Sequence, residues 1–413
     1  MSFAQFLTTL ESHSTDDPVV HEASNTAVDV SLSTDTTDAV TEMDEHMRSI
    51  DQVDTGIESA EVAIDRIAEL QSTVSDKLQH TGSLTDFEQK AAEITHESIM
   101  SSLGLPAVKL TNESTSYDQR ASSLIATLED QSQSLWQKIV AGVKRALEMV
   151  LVFIQDLVRN NFLLKRYWSK TMEQVKKVSG QTPSKEMMTD SAKALSVPES
   201  VTNDPKDVEK RLQLMAATAM GMMRVSDISI DEINRINFKL GKLENDRLTD
   251  VMQFGKEGIP PVRTAEGEAY GFLTGGRSIV RASGVFIDRA YEKMIVSGAE
   301  TTEIAVGTPE VMNDAMGLAD KIMDAIRKFD SKRSYVKNIL SRVQQFLVQD
   351  VMSLPAMVNK SMADARHEIN KIRGLRSVLN SVIGRFPLES FKIAKAFIDY
   401  CRNSLKYYNT ASA

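Results

Sequence analysis

Between Met43 and Leu78 the residues Met43, Met47, Ile50, Val53, Ile57, Ala60, Ile64, Ile67, Leu70, Val74 and Leu78 follow one another at steps of three or four. This spacing puts all of them on one stripe of an α-helix of about ten turns; a strand, whose faces alternate at every residue, cannot present it. A single apolar seam of this length needs a helical partner. The helix stops at Gly82, and Thr85-Asp86-Phe87-Glu88 then offers a capping box, in which Thr85 accepts from the first turn while Glu88 reaches back. A second helix runs to Leu103, with Gly104 and Pro106 as stop signals. Residues 43–104 are therefore expected to form a helical hairpin, acidic outside, with its seam packed antiparallel on Phe87, Ala91, Ile94 and Leu103.

Residues 1–42 read as a flexible acidic lead, because Thr, Ser and Asp dominate and no helical period is sustained. Only Phe3, Phe6, Leu7 and Leu10 form a stripe, suited to a docking peptide or to a fraying terminal helix. Helical periodicity resumes at 114–178. There Trp136, Ile139, Val140, Val143, Leu147, Val150, Leu151, Ile154, Leu157 and Val158 build a wide apolar face. Residues 179–204 read as a linker with one short helix, and 205–254 as helix with an interruption and restart near Ser226-Asp227-Ile228-Ser229. The Gly-rich 255–309 reads as irregular loops or a small β-hairpin. Helix returns over 310–413, with breaks near Pro355, Gly374 and Pro387. The fold class is mainly α: an acidic hairpin, then an elongated multi-helix body with a small Gly-rich, irregular or β-containing insertion.

Charge is divided along the chain. Residues 1–116 hold 22 Asp+Glu against 5 Lys+Arg, a net of −17, whereas the whole chain is at −9. The body is thus basic. Its cationic residues concentrate at 134–178, where Lys138, Lys144, Arg145, Lys165, Arg166, Lys170, Lys176 and Lys177 are candidate phosphate contacts, and again at 321–413. Spaced Lys and Arg of this kind would touch a nucleic-acid backbone without reading its sequence. The acidic part would then be a removable pro-segment or an internal mask.

Catalytic and metal chemistry leave no comparable signal. The six histidines show no His-Glu-x-x-His spacing, and one cysteine, Cys401, provides neither a thiolate zinc site nor an intramolecular disulfide. Gly271-Phe272-Leu273-Thr274-Gly275-Gly276-Arg277 lacks the Gly-Lys-Ser/Thr ending of a phosphate loop and reads as a turn. No Gly-x-Ser-x-Gly elbow occurs. No enzyme activity, cofactor or structural metal is expected. The longest apolar run, Met149–Ile154, falls far short of the roughly 20 residues of a membrane span.

Three stretches carry a family resemblance: Gly56-Ile57-Glu58-Ser59-Ala60-Glu61-Val62-Ala63-Ile64, Leu84-Thr85-Asp86-Phe87-Glu88 leading to Ser102-Leu103-Gly104-Leu105-Pro106, and Leu135-Trp136-Gln137-Lys138-Ile139-Val140. Over residues 56–178 the chain resembles the internal head proteins of large tailed bacteriophages with contractile tails, the giant phages included. The resemblance implies a virion component of the capsid interior, assembled in the host cytoplasm. Its partners would be other capsid proteins and a prohead protease that cuts after glutamate to remove an acidic pro-region. Glu61, Glu69, Glu93 and Glu113 are the candidate cleavage positions, and Glu113 is favoured because it alone lies in an expected loop. Packaged DNA, bound without sequence preference, is the expected polyanion. Two other readings stand beside this one: a helical scaffold whose basic faces meet acidic subunits, and a delivered effector acting on host membranes through the 134–164 stripe.

Overall fold

The structure, a computed structural model, describes residues 25–102, 117–178, 187–198, 201–202, 204–235, 262–264, 267–280, 295–297, 301–346 and 380–410. Among them are seven α-helices: α1 (Asn25–Thr81), α2 (Asp86–Ser102), α3 (Tyr117–Lys177), α4 (Val208–Arg235), α5 (Pro309–Ser331), α6 (Arg333–Phe346) and α7 (Phe386–Thr410). A π-helical turn, Asn380–Arg385, leads into α7. The molecule is mainly helical, as its periodicity requires.

α1 and α3 form an antiparallel pair. Glu42 meets Arg159, His46 meets Asp156, and Gln71 meets Glu129, while a Cβ on Gly142 would lie 2.8 Å from Ile57. The seam is buried as its spacing demands: Met43, Met47, Ile50, Ile57, Ile64, Ile67 and Val74 are at most 4% exposed. They face Leu135, Ile139, Val143, Leu147, Val150, Phe153 and Leu157 of α3, buried in their turn. The apolar stripe of α3 is therefore a core seam rather than a free membrane-seeking face. At 61 residues α3 is about 90 Å long.

α1 differs from expectation at its start. It begins at Asn25, inside the stretch read as a flexible lead, because Thr36 and Ala39 continue the seam with small side chains that a hydropathy reading passes over. Thr36, Thr37 and Thr41 also return their hydroxyls to carbonyls three or four residues back, so their polarity is satisfied within the helix. Residues 1–24, including the Phe3–Leu10 stripe, lie outside the described residues.

The capping box forms as read. Thr85 N and Oγ1 donate to Glu88 Oε2 at 3.0 and 2.9 Å, and Glu88 N donates to Thr85 Oγ1 at 3.3 Å. Gly82 takes φ 73°, and its N–H returns to the Leu78 carbonyl. The inward face of α2 corrects the expectation, however. Phe87, Ala91 and Ile94 are exposed, and Ala92, His96, Ile99 and Met100 are buried, with His96 bonded to Gln131 of α3. Leu103 lies outside the described residues. α2 thus packs against both long helices rather than against the seam alone.

The C-terminal half of α3 enters a bundle with α4, α5 and α7. It runs antiparallel to α5, where Asn161 Nδ2 donates to the Met323 carbonyl, Lys165 pairs with Asp320, and Trp168 Nε1 donates to the Met316 carbonyl at 2.8 Å. α7 is the central helix: Leu388, Phe391, Ile393, Ala394, Phe397, Ile398, Tyr400 and Cys401 are all fully buried. Cys401, with its thiol pushed upward by burial, is structural.

Within the Gly-rich region the structure shows more order than loops or one hairpin. Strands β2 (Val262–Thr264), β3 (Gly267–Phe272), β4 (Arg277–Val280) and β5 (Ile295–Ser297) form an antiparallel meander. The stretch Gly271–Arg277, read as a turn, is the β3–β4 turn, with Gly275 and Gly276 at positive φ. β3 lies on α4, where a Cβ on Gly271 would come within 2.7 Å of Thr218 and the Phe272 N–H bonds Thr218 Oγ1. The expected linker is packed where it is described: Met188, Ala192, Leu195 and Val197 are buried. β1 (Met187–Met188) pairs there with β6 (Ile304–Ala305). α4 runs unbroken through Ser226–Ser229, with Ser226 buried, and residues 236–261 and 347–379 lie outside the described residues.

Candidate interface between the acidic helix and the basic body

α1 carries thirteen acidic residues against three basic ones. Their placement follows from the seam: once the apolar stripe is buried, the residues flanking it face the neighbours on either side. On one flank Asp44 takes Lys392 of α7 at 2.7 Å, and Asp51 pairs with Arg385 of the π-turn. Asn380 Nδ2 donates to both Asp51 and Asp54 at 3.3 Å. On the other flank Glu42 takes Arg159 of α3 at 3.0 Å. Two of the three cations matched here belong to the C-terminal region, more than 300 residues away in sequence.

Lys392 ties this interface to the β-insertion. Arg277 holds Glu389 through its two terminal guanidinium nitrogens, at 3.2 and 2.7 Å, and Lys392 reaches the same carboxylate at 3.4 Å. The Glu389 side chain is 2% exposed. A chain of charges Arg277–Glu389–Lys392–Asp44 therefore crosses from β4 through α7 to α1. Close packing joins it: Met47 sits against Gly384, where a Cβ would meet its Cε at 2.6 Å. A larger residue at Gly384 would force the Met47 side chain to another rotamer.

The candidate phosphate contacts divide by surroundings. Lys138, Lys144, Arg145, Arg166, Lys176 and Lys177 are exposed, and Lys170 is half-buried. Lys165 is engaged by Asp320 and lies 4.1 Å from the Trp168 ring centroid. The candidate cleavage positions divide as well. Glu61 is 1% exposed on α1, Glu69 is exposed on the same helix, and Glu93 is half-buried on α2, where Gln89 donates to it. All three sit in helical backbone, which a protease cannot thread without unfolding it. Glu113 lies outside the described residues.

Sequence reasoning passed over the Lys392, Arg385 and Asn380 set and over Glu42, His46 and Asp156, which the α1–α3 register brings together. The available signal was the i, i+7 spacing of Asp44 and Asp51 beside the seam; the partners had no local signature. Among the described residues no helix is long and apolar enough to cross a membrane.

A long antiparallel helix pair on a helical bundle, with acidic and basic parts of one chain docked together, is the architecture of an interaction protein. The family model of phiKZ-like phage internal head proteins matches residues 22–402, and the chain belongs to that family. It is accordingly a structural protein of the phage head interior. No curated protein and no solved structure matches the chain.

Proposed function

We propose that the chain is a non-enzymatic head-interior protein whose acidic N-terminal part holds the basic body in an assembly-competent, charge-compensated form, and whose trimming then leaves a basic body among the packaged DNA. The observation that carries this reading is the docking of Asp44, Asp51 and Glu42 on Lys392, Arg385 and Arg159. Compensation of the exposed lysines and arginines of α3 acts through the field of α1 rather than by contact, over a distance of roughly one Debye length, about 8 Å at physiological salt. A prohead protease cutting after Glu113 is the maturation step the reading requires, with Glu61, Glu69 and Glu93 as further positions. DNA is bound through phosphates only.

One experiment addresses both halves. Mature particles are irradiated to cross-link protein to DNA, and the peptides are analysed by mass spectrometry. The expected result is abundant peptide from 117–413, almost none from 1–100, a new N-terminus after a glutamate, and nucleotide adducts on peptides carrying Lys138, Lys144, Arg145, Arg166, Lys176 or Lys177. An intact chain without adducts would instead favour a permanent scaffold whose acidic helix has a standing structural role.

A further inference from the structure

We propose that Glu42, His46 and Asp156 form a divalent transition-metal site, of zinc-like preference, that clamps α1 to α3. The three come from two helices: Glu42 and His46 lie one turn apart on α1, and Asp156 faces them from α3. One ligand atom from each falls within 4.8 Å of the other two. His46 Nδ1 lies 3.1 Å from Asp156 Oδ2, yet the pair lacks the alignment of a hydrogen bond, and that nitrogen is shut off from solvent without such a bond. Two ligands on one ion stand in that relation. In a tetrahedral site with metal–ligand arms of roughly 2.0–2.1 Å, neighbouring ligand atoms are about 3.3 Å apart and both lone pairs converge on the ion rather than on each other.

The donor set decides the class of ion. One imidazole and two carboxylates, with an outward position left for water, suit zinc and its first-row neighbours; magnesium and calcium prefer all-oxygen shells. Arg159 is the built-in competitor. Its guanidinium lies 3.0 Å from Glu42 Oε2 and 3.6 Å from Asp156 Oδ1, but its side chain is 59% exposed and can swing into solvent when an ion enters. The ion would replace the exposed Glu42–Arg159 pair by a three-ligand clamp, and the Asp44 and Asp51 pairs would remain, so occupancy would tighten the docking of α1. It stands on geometry alone and does not depend on cleavage or on DNA.

The test titrates the full chain with Co²⁺, whose visible spectrum intensifies in a tetrahedral site, and then displaces it with Zn²⁺. One equivalent should bind, and Zn²⁺ should raise the melting temperature. Glu42→Gln, His46→Gln and Asp156→Asn should each weaken binding by roughly tenfold or more. Arg159→Gln should strengthen it, and His80→Gln, on an exposed residue at the far end of α1, should leave it unchanged. Far-ultraviolet circular dichroism checks each fold; Glu42, with its side chain 48% exposed, supplies the decisive variant if the others unfold. Wild-type chain that takes up no Co²⁺, or Glu42→Gln and His46→Gln chains that bind it as wild type does, would overturn the site.

Discussion

Glu389 shows how one buried carboxylate can organise three elements. Its side chain is sealed inside the bundle and answers two cations, Arg277 from the β-insertion and Lys392 from its own helix. Removing its charge takes the carboxylate away from Arg277 and from Lys392, which keeps Asp44, and breaking a buried pair from one side costs more than the pair contributes when intact. Glu389→Gln, which keeps shape and loses charge, is expected to destabilise the chain by about 3 kcal/mol in denaturant unfolding. Lys406→Met makes the contrast. Its pairing with Asp190 is 60% and 63% exposed, and such a surface pair is worth about 0–1 kcal/mol. Equal losses from the two substitutions would mean that Glu389 is solvated and that the crossing chain of charges holds nothing together. Arg211 follows the same logic with carbonyls as partners. Buried at 1% exposure, it donates to the Leu195, Thr202 and Asp204 carbonyls and to Thr301, so it staples the stretch before α4 to the body.

At the level of elements, α2 is set by its cap. Lys77 at 2.9 Å and the Thr85 N–H and hydroxyl all stabilise the ionised Glu88, with Lys77 the largest influence, and lower its pKa from 4.5 to about 2. A depressed carboxyl pKa gives stability that is fully present above pH 4.5 and is lost as pH falls through about 2. The difference in thermal stability between wild type and Glu88→Gln should therefore be constant above pH 4.5 and shrink below it; a difference that grows on acidification would contradict the cap. This element was legible because a capping box is a local signal, complete within Thr85–Glu88. The partner of the seam was not. Periodicity names the face of a helix and leaves its neighbour open, and α2 offers two stripes, Phe87–Ala91–Ile94 and Ala92–His96–Ile99. The more apolar stripe was expected inside and is the exposed one, because α2 must also meet Gln131 of α3. The first turns of α1 were hidden for a different reason: Thr and Ala can complete a seam where geometry leaves little room. The ion pairs of Asp44 and Asp51 depend on a chain reversal of more than 300 residues, which no local pattern encodes.

For the molecule as a whole, the docking of α1 sets a condition on the proposed trimming. Salt screens the exposed Glu42–Arg159 pair, screens the half-buried Asp44–Lys392 and Asp51–Arg385 pairs less, and leaves the seam untouched. Seven large side chains, Met43, Met47, Ile50, Ile57, Ile64, Ile67 and Val74, are buried between α1 and its neighbours. At roughly 1.5–3 kcal/mol each they contribute on the order of 10–20 kcal/mol before the entropy of ordering is subtracted. A single cut at Glu113 therefore severs the chain without freeing the acidic part. Removal needs further cuts inside α1, and its candidate positions are sheltered: Glu61 by burial, Glu69 by helical backbone. The charge division thus has a standing structural consequence even where cleavage occurs. The prediction is made on a chain carrying a specific protease site in place of residues 111–115, cut in vitro and run on gel filtration. The two pieces should co-elute in low salt and also in 1 M salt, where the Debye length is about 3 Å, and should part only in denaturant. Separation by salt alone would make the ion pairs the dominant hold and a single cut sufficient for the charge switch. Separation in low salt would mean that the connection through 103–116 is itself needed to keep α1 on the body.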